Sequence, residues 1–148
     1  MTIFIASDHA GFALKGVLIP YLEELGHTVV DCGASSLDES DDYPDFIQKA
    51  AQGVAAGHAE RAIVLGGSGQ GEAMAGNRFL GVRAAVYYGG PLDIVRLARE
   101  HNDANVLSLG ARFLDEGEAK EAVALFLATP FSDDERHARR IHKIDVHG

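Results

Sequence analysis

The sequence contains no tryptophan, a single cysteine and no long apolar run, and these absences narrow the class of protein. One cysteine, Cys32, can form neither an internal disulfide nor a cysteine-rich metal site, which fits a reducing compartment. No apolar run approaches the roughly 20 residues that a membrane helix needs, and the N-terminal residues lack the basic-then-apolar pattern of a signal peptide. We therefore expect a cytoplasmic protein with no membrane partner.

Basic residues are also scarce, because 13 Lys and Arg stand against 22 Asp and Glu, a formal net charge of −9. Nucleic-acid binding relies on neutralising phosphates with Lys and Arg, so this balance argues against a nucleic-acid partner. The basic residues crowd towards the C-terminus, where the acidic start Ser132–Glu135 predicts a poorly hydrophobic helix within 131–148. A helix without an apolar stripe is either solvated or docked on another chain.

Short apolar runs alternate with segments of helical periodicity along all 148 residues. The five runs predicted to be strands are Ile3–Ala6, Thr28–Val30, Ala62–Leu65, Val82–Val86 and Asn105–Leu109. Continuous apolar runs of this length are typical of strands covered by helices on both faces. We predict one domain over 1–148, a three-layer α/β/α sandwich built on a five-stranded parallel, Rossmann-like sheet.

The stretch LGGSGQGEAMAGN, residues 65–77, has the glycines of a phosphate-binding loop but the wrong charge. Gly66 and Gly71 have the spacing of a nucleoside-triphosphate loop, yet Glu72 stands where that loop needs lysine, and the dinucleotide fingerprint does not fit either. Since a carboxylate repels a triphosphate, the loop amides suit a developing oxyanion, with Glu72 as the base that takes a proton from carbon. The alternative is that Glu72 only complements the N-terminus of a helix.

Polar residues follow other predicted strands, where ligands of open parallel sheets bind. Asp8 and His9 follow the first strand, and Arg112 follows the fifth. Each also has a simpler interpretation, because Asp8 and His9 can cap a helix and Arg112 can be an ordinary surface residue.

Polar residues outside the strand ends have the same two interpretations. His101 and Asn102 can bind a ligand or simply end a helix. Arg136 and Arg140 are four residues apart and share a helix face beside His137. That face is either solvated or suited to a phosphate or carboxylate.

Taken together, these motifs resemble the type B ribose-5-phosphate isomerases, in a family that includes the galactose-6-phosphate isomerase subunits. The match runs from Ile3 to about His142. Its motifs, in chain order, are SDHAG at 7–11, DYPD at 42–45, GGSGQGE at 66–72, AGNRFLGVRA at 75–84, REHNDANVLSLGAR at 99–112 and RHARRI at 136–141.

The resemblance implies an isomerase that interconverts an aldose phosphate and a ketose phosphate through an enediolate, without a metal or other cofactor. It implies that Glu72 is the base, that His101 opens the sugar ring and that Ser68 assists proton movement at the oxygens. The implied substrate-binding residues are Asp8, His9, Tyr43, Gly67, Gly69, Gln70, Gly71, Asn102, Arg112, Arg136, His137 and Arg140. Within this set, the loop amides face the enediolate and the arginines hold the phosphate.

One position departs from many members of the family. They place a cysteine base immediately before the first matched loop glycine, where this chain has Gly66. A second branch carries glutamate at the position of Glu72, and this chain resembles that branch. Cys32 follows the second strand and is not the missing thiol.

The expected positions of these residues predict a shared site. His101 and Asn102 precede the fifth strand and belong at the amino edge of the sheet, whereas Glu72 belongs at the carboxyl edge. We therefore predict that His101, Asn102, Arg136 and Arg140 reach the active site of a partner subunit, and the resemblance implies a homodimer or a pair of dimers.

The leading hypothesis for the substrate pair is ribose 5-phosphate and ribulose 5-phosphate. Another sugar phosphate, such as galactose or allose 6-phosphate or a four-carbon sugar phosphate, remains open. Outside this chemistry, the alternatives are a nucleotide- or flavin-binding module and a catalytically inactive regulatory relative.

Overall fold

The computed structural model describes residues 1–146, so the last two positions of the tail expected over 131–148 lie outside the described residues. The strands are β1 Thr2–Ser7, β2 Thr28–Asp31, β3 Arg61–Gly66, β4 Ala84–Tyr87 and β5 Val106–Gly110. The helices are α1 Phe12–Glu24, α2 Pro44–Ala55, α3 Gln70–Gly76, α4 Asp93–Asn102, α5 Glu116–Ala128 and α6 Glu135–Asp145. None of these helices is both long and apolar enough to cross a membrane.

The five strands form one parallel sheet in the order β2-β1-β3-β5-β4. The predicted five-stranded parallel sheet is therefore confirmed. Strand β3 lies at the centre, between β1 and β5. The segments that follow these three strands consequently meet at one edge of the sheet, where ligands of such folds bind.

Helices cover both faces of the sheet, which confirms the three layers. Side chains of a strand alternate between its faces. Ile3 and Ile5 point to the face that carries α1, α4 and α5. Ala62 and Val64 point to the face that carries α2, with Ala75 of α3 against the same cluster. Burying one isoleucine or valine side chain of these clusters contributes about 1.5–3 kcal/mol, so the apolar contacts stabilise the packing of both helix layers on the sheet.

The first residues of one strand and one helix show why their boundaries fall where they do. Strand β4 begins at Ala84 rather than at the predicted Val82, since the N–H of Arg83 donates to the Asn105 side chain at 2.8 Å. Helix α5 begins after a reciprocal capping box between Asp115 and Glu118.

Helix α6 packs against α4 of its own chain, which the sequence did not predict. Its buried residue, His137, stacks against His101 with ring centroids 4.2 Å apart. Near its C-terminus, Asp145 pairs with Arg83 at 3.2 Å. The proposed contact of this helix with a partner subunit stays a prediction.

Candidate active site

Ten of the residues singled out in the sequence lie together at the carboxyl edge of β1, β3 and β5. They are Asp8, His9, Tyr43, Gly67, Ser68, Gly69, Gln70, Gly71, Glu72 and Arg112. The loop between β3 and α3, residues 67–69, forms the centre of this group.

The loop lies so close to β5 that it needs glycine. Gly69 has a left-handed φ of 79°, and a Cβ there would lie 3.1–3.2 Å from the backbone of Leu109 and Gly110. The hydroxyl of Ser108 donates to the carbonyl of Gly69 at 2.6 Å. Close backbone contact with β5 and the hydrogen bond from Ser108 therefore both hold the loop in place.

Several amides of the loop have no internal acceptor. Within residues 1–146, the structure gives no hydrogen-bond acceptor to the N–H groups of Gly67, Ser68, Gly69 and Gly71. The N–H of Gln70 is engaged by the Ser68 hydroxyl at 3.3 Å. Successive amides of this kind form a concave donor surface that suits an oxyanion.

Glu72 occupies the space that the side chain of residue 66 would otherwise fill. A Cβ added to Gly66 would overlap the Glu72 carboxyl group. Glu72 is only 3% exposed. Burial raises the pKa of Glu72 above its usual value, its own backbone N–H opposes the rise, and the negative charge of Asp8 adds to it. A buried carboxyl group with a raised pKa is a candidate general base.

Asp8 has a structural task as well as a place in the site. Its Oδ1 accepts hydrogen bonds from the N–H groups of Ala10 at 2.9 Å and Gly11 at 3.3 Å. Both N–H groups precede α1, and no described side chain caps that helix, so the prediction that Asp8 caps a helix is wrong; Asp8 closes the turn before it. The turn holds a buried negative charge next to the site, since Asp8 is 6% exposed.

His9 is held by a residue that sequence reasoning missed. Asp41 Oδ1 lies 2.7 Å from His9 Nδ1 and 3.2 Å from the His9 backbone nitrogen. This hydrogen bond raises the pKa of His9. Asp41 belongs to an acidic segment, residues 38–45, in which no sequence signal distinguishes one carboxylate from another.

Asp8, His9 and Asp41 are also the only described group with the spacing of a metal site, since their ligand atoms lie within 4.8 Å of one another. The Nδ1 of His9 is already engaged by a carboxylate, so a metal at that atom would have to replace this hydrogen bond. The expectation that the reaction needs no metal stays a prediction.

Two side chains lie close to the loop at positions where glycine leaves room for them. A Cβ on Gly71 would lie 2.6 Å from the Tyr43 phenol oxygen. A Cβ on Gly67 would lie 3.0 Å from Arg112 Nη1. Tyr43 and Arg112 therefore border the loop on two sides, and the positive charge of Arg112 also acts on His9.

A second group of the predicted residues lies at the opposite edge of the sheet. Its members are His101, Asn102, Arg136, His137 and Arg140. The six residues of β3 alone separate the two edges by about 16 Å. Within one chain, the structure does not bring this second group to Glu72.

The two histidines of this second group contact each other. Burial lowers the pKa of His137, and nearby positive charge, first that of His101, lowers it further. Its Nδ1 lies 3.0 Å from the hydroxyl of Ser132, which sequence reasoning had treated only as a helix start. Arg136 and Arg140 are exposed on the same helix.

Comparison with known proteins identifies the family. A model of the family described as Ribose/Galactose Isomerase matches residues 3–144. The chain belongs to the ribose/galactose isomerase family. The resemblance inferred from the six motifs is confirmed, and the chain is an isomerase rather than a nucleotide- or flavin-binding module.

Relatives of this isomerase cover nearly the whole chain. Ribose-5-phosphate isomerase B of Mycolicibacterium paratuberculosis is 45% identical over 141 residues, which are 95% of this chain and 87% of the relative. The solved structure of ribose-5-phosphate isomerase B from Clostridium thermocellum has a TM-score of 0.94 at 41% identity, covering 99% of this chain and 97% of that chain. The enzyme from Mycoplasma genitalium, solved with bound ribulose 5-phosphate, has a TM-score of 0.93 at 39% identity, with 99% and 95% covered.

Proposed function

We propose that this isomerase interconverts ribose 5-phosphate and ribulose 5-phosphate through an enediolate. The observation that carries the proposal is the Glu72 carboxyl group, which is buried in the space left by Gly66 and follows a loop whose amides have no acceptor among residues 1–146. The names of the relatives, and the ribulose 5-phosphate bound in the Mycoplasma genitalium structure, support this choice of substrate.

Glu72 acts as the base in this mechanism. Its carboxylate removes the proton from C2 of the open-chain aldose and returns it to C1, which yields the ketose. Burial favours this role, because a desolvated carboxylate has a raised affinity for protons and accepts one readily at neutral pH. A positioned base typically contributes 10²–10⁴-fold to the rate.

The amides of the loop stabilise the charge that develops on the substrate oxygens. Removal of the C2 proton places negative charge on O1, and the N–H groups of Gly67, Ser68, Gly69 and Gly71 have no acceptor among the described residues to compete with it. Removing one donor of such a site typically costs about 2.7–4 kcal/mol in the barrier. The Ser68 hydroxyl assists the movement of protons between the substrate oxygens.

The phosphate is bound by positive charge at one edge of the loop. Arg112 and His9 stand at the loop's edge. The exposed Arg136 and Arg140 supply further donors that suit a phosphate. The length of the sugar keeps this dianion apart from Glu72, so the two negative charges do not oppose each other.

The active site is shared between two subunits. His101, which opens the sugar ring, and Arg136 and Arg140 lie at the sheet edge opposite to Glu72, so one chain cannot place them on one small sugar. A two-fold dimer solves this, because each copy presents its His101 edge to the Glu72 edge of the other. The packing of α6 on α4 arranges His101, His137 and the arginines as one surface before any dimer forms.

The proposal is tested by assaying the purified protein, with chelator present, against four-, five- and six-carbon sugar phosphates. We expect the highest kcat/KM for ribose 5-phosphate, undiminished by chelator. A clear preference for a six-carbon or four-carbon sugar phosphate would replace the proposed substrate, and loss of activity with chelator would contradict the metal-free mechanism.

A further inference from the structure

The carboxylate of Asp41 has an unusual environment for a loop residue. Its side chain is only 7% exposed. One oxygen, Oδ1, accepts from both the backbone N–H and the Nδ1 of His9. The other oxygen, Oδ2, is buried and has no hydrogen-bond partner among residues 1–146.

Such a carboxylate is a poor stabilising element. Burying a charge without pairing both of its oxygens is unfavourable, and native structures contain few such groups. Among the described residues, the Asp41 carboxylate accepts hydrogen bonds from one residue only, His9. We therefore infer that the Asp41 carboxylate contributes more to the orientation and charge of His9 than to the stability of the loop.

The hydrogen bond at Nδ1 also determines how the other ring nitrogen of His9 is oriented. When Asp41 accepts from Nδ1, the ring is oriented and its Nε2 is left for another partner. The His9 side chain is 26% exposed, so this edge of the ring is accessible. Arg112, the other cation at this side of the loop, acts on the same ring.

We propose that Asp41 is a positioning residue, which orients His9 and keeps it protonated so that Nε2 donates to the anionic end of the substrate. The inference rests on the proposed function in that the anion is the phosphate of a sugar phosphate. It adds to that function a residue, Asp41, that contacts no substrate atom and acts through His9.

The charges that face His9 agree with this assignment. Asp41 makes the largest contribution that raises the pKa of His9, burial opposes it, the charge of Asp8 raises the pKa further, and Arg112 lowers it. Asp38 also lies near, since His9 acts on its carboxyl group. Three carboxylates against one guanidinium favour the imidazolium form, which can donate to a phosphate.

The proposal is tested with Asp41→Asn, which keeps the size of the side chain and removes its charge. Ring signals of His9 are followed by NMR against pH, with the His9→Gln spectrum giving the assignment, and binding of inorganic phosphate is measured on the same samples. We expect a lower pKa for His9 in the variant. We also expect about tenfold weaker phosphate binding and a similar rise in KM for ribose 5-phosphate, with kcat much less affected.

The matched control is Glu39→Gln, which removes one negative charge from the same loop at an exposed position. We expect it to leave the His9 titration, phosphate binding and KM as in the wild type. If Asp41→Asn leaves the pKa of His9 unchanged, or shifts it without weakening phosphate binding, the proposal is wrong.

A double-mutant cycle guards against a variant that only disturbs folding. In a His9→Gln background, Asp41→Asn should cause no further loss of phosphate binding, and additive losses would overturn the proposal. The titration and the phosphate measurements do not depend on which sugar is the substrate. Failure of ribose 5-phosphate as a substrate is therefore distinguishable from failure of the role given to Asp41.

Discussion

A Cβ at position 66 and the Glu72 carboxyl group cannot occupy the same space. Gly66 ends β3, and Glu72 lies in the first turn of α3, so the helix returns its carboxylate to the end of the strand that precedes it. The residue types at the two positions depend on each other. A side chain at position 66 would force the Glu72 carboxyl group to move, whereas glycine leaves room for it.

The first prediction concerns this pair. Gly66→Ala should displace the carboxyl group by the order of an ångström and lower kcat by about 100-fold, since misplacement on this scale is costly in catalysis. Overpacking of this kind also costs about 1–3 kcal/mol of unfolding free energy, which thermal denaturation would show.

Gly16→Ala is the control for that substitution. Gly16 is an exposed residue within α1, and apart from the neighbouring backbone of its own helix a Cβ there would meet no described atom within 4 Å. We expect unchanged kinetics and a gain of about 0.5–1 kcal/mol in stability. Unimpaired kcat in Gly66→Ala would show that the carboxyl group does not need this space.

The second prediction concerns pH. The base must be deprotonated to act, and the pKa of Glu72 is raised by burial. The rate should therefore fall as the pH decreases through a value above that of an ordinary glutamate, which is about 4.3. A profile of kcat/KM against pH checks this, and an acid limb at the ordinary glutamate value would contradict the burial argument.

The same shift makes a prediction for stability. Because the folded state raises the pKa of Glu72, it binds a proton more tightly than the unfolded state does. The free energy of unfolding should decrease as pH rises from the ordinary value through the raised one. Glu72→Gln removes this pH-dependent loss, so we expect the variant to be more stable than the wild type at neutral pH in urea titrations.

The third prediction tests whether the site is shared between subunits. Glu72→Gln and His101→Asn should each be nearly inactive, but co-expressed chains should recover about a quarter of wild-type activity. Half of the randomly formed dimers are mixed, and one of the two sites in each mixed dimer carries neither substitution. Absence of recovery in a verified mixed dimer would show that both residues act within one chain.

The fourth prediction concerns the arginines of α6. Arg140→Ala should raise KM for the sugar phosphate by about 10–100-fold, the scale of losing a charge-assisted contact to phosphate. Arg139→Ala is the matched control, since Arg139 lies on the same helix and pairs with Glu135 at 2.6 Å. Equal effects of the two substitutions would contradict a specific role for Arg140.

The fold was predictable because its pattern is local. Runs such as Ile3–Ala6 and Ala62–Leu65 lie between segments of helical periodicity, and this alternation alone specifies covered parallel strands. The loop of the site was also recognisable, since its glycines and Glu72 are adjacent in sequence.

The remaining features depend on contacts between distant residues. Asp41 meets His9 across 32 positions, and nothing in its acidic neighbourhood marks it. The docking of α6 on α4 includes the stacked pair His101 and His137 and a hydrogen bond from the Ser132 N–H to the Glu100 carbonyl, rather than an apolar stripe that periodicity would reveal. Sequence patterns show which residues share a face of one helix or strand, but not which residues of two separate segments meet.

The most direct test of the account is hydrogen exchange at the reacting carbon. Ribose 5-phosphate labelled with deuterium at C2 is incubated with wild type and with Glu72→Gln, and loss of the label to solvent is followed by NMR. We expect the wild type to release label during turnover and Glu72→Gln to slow both release and isomerisation by about 10²–10⁴-fold. Release at the wild-type rate from Glu72→Gln would show that another group removes the proton.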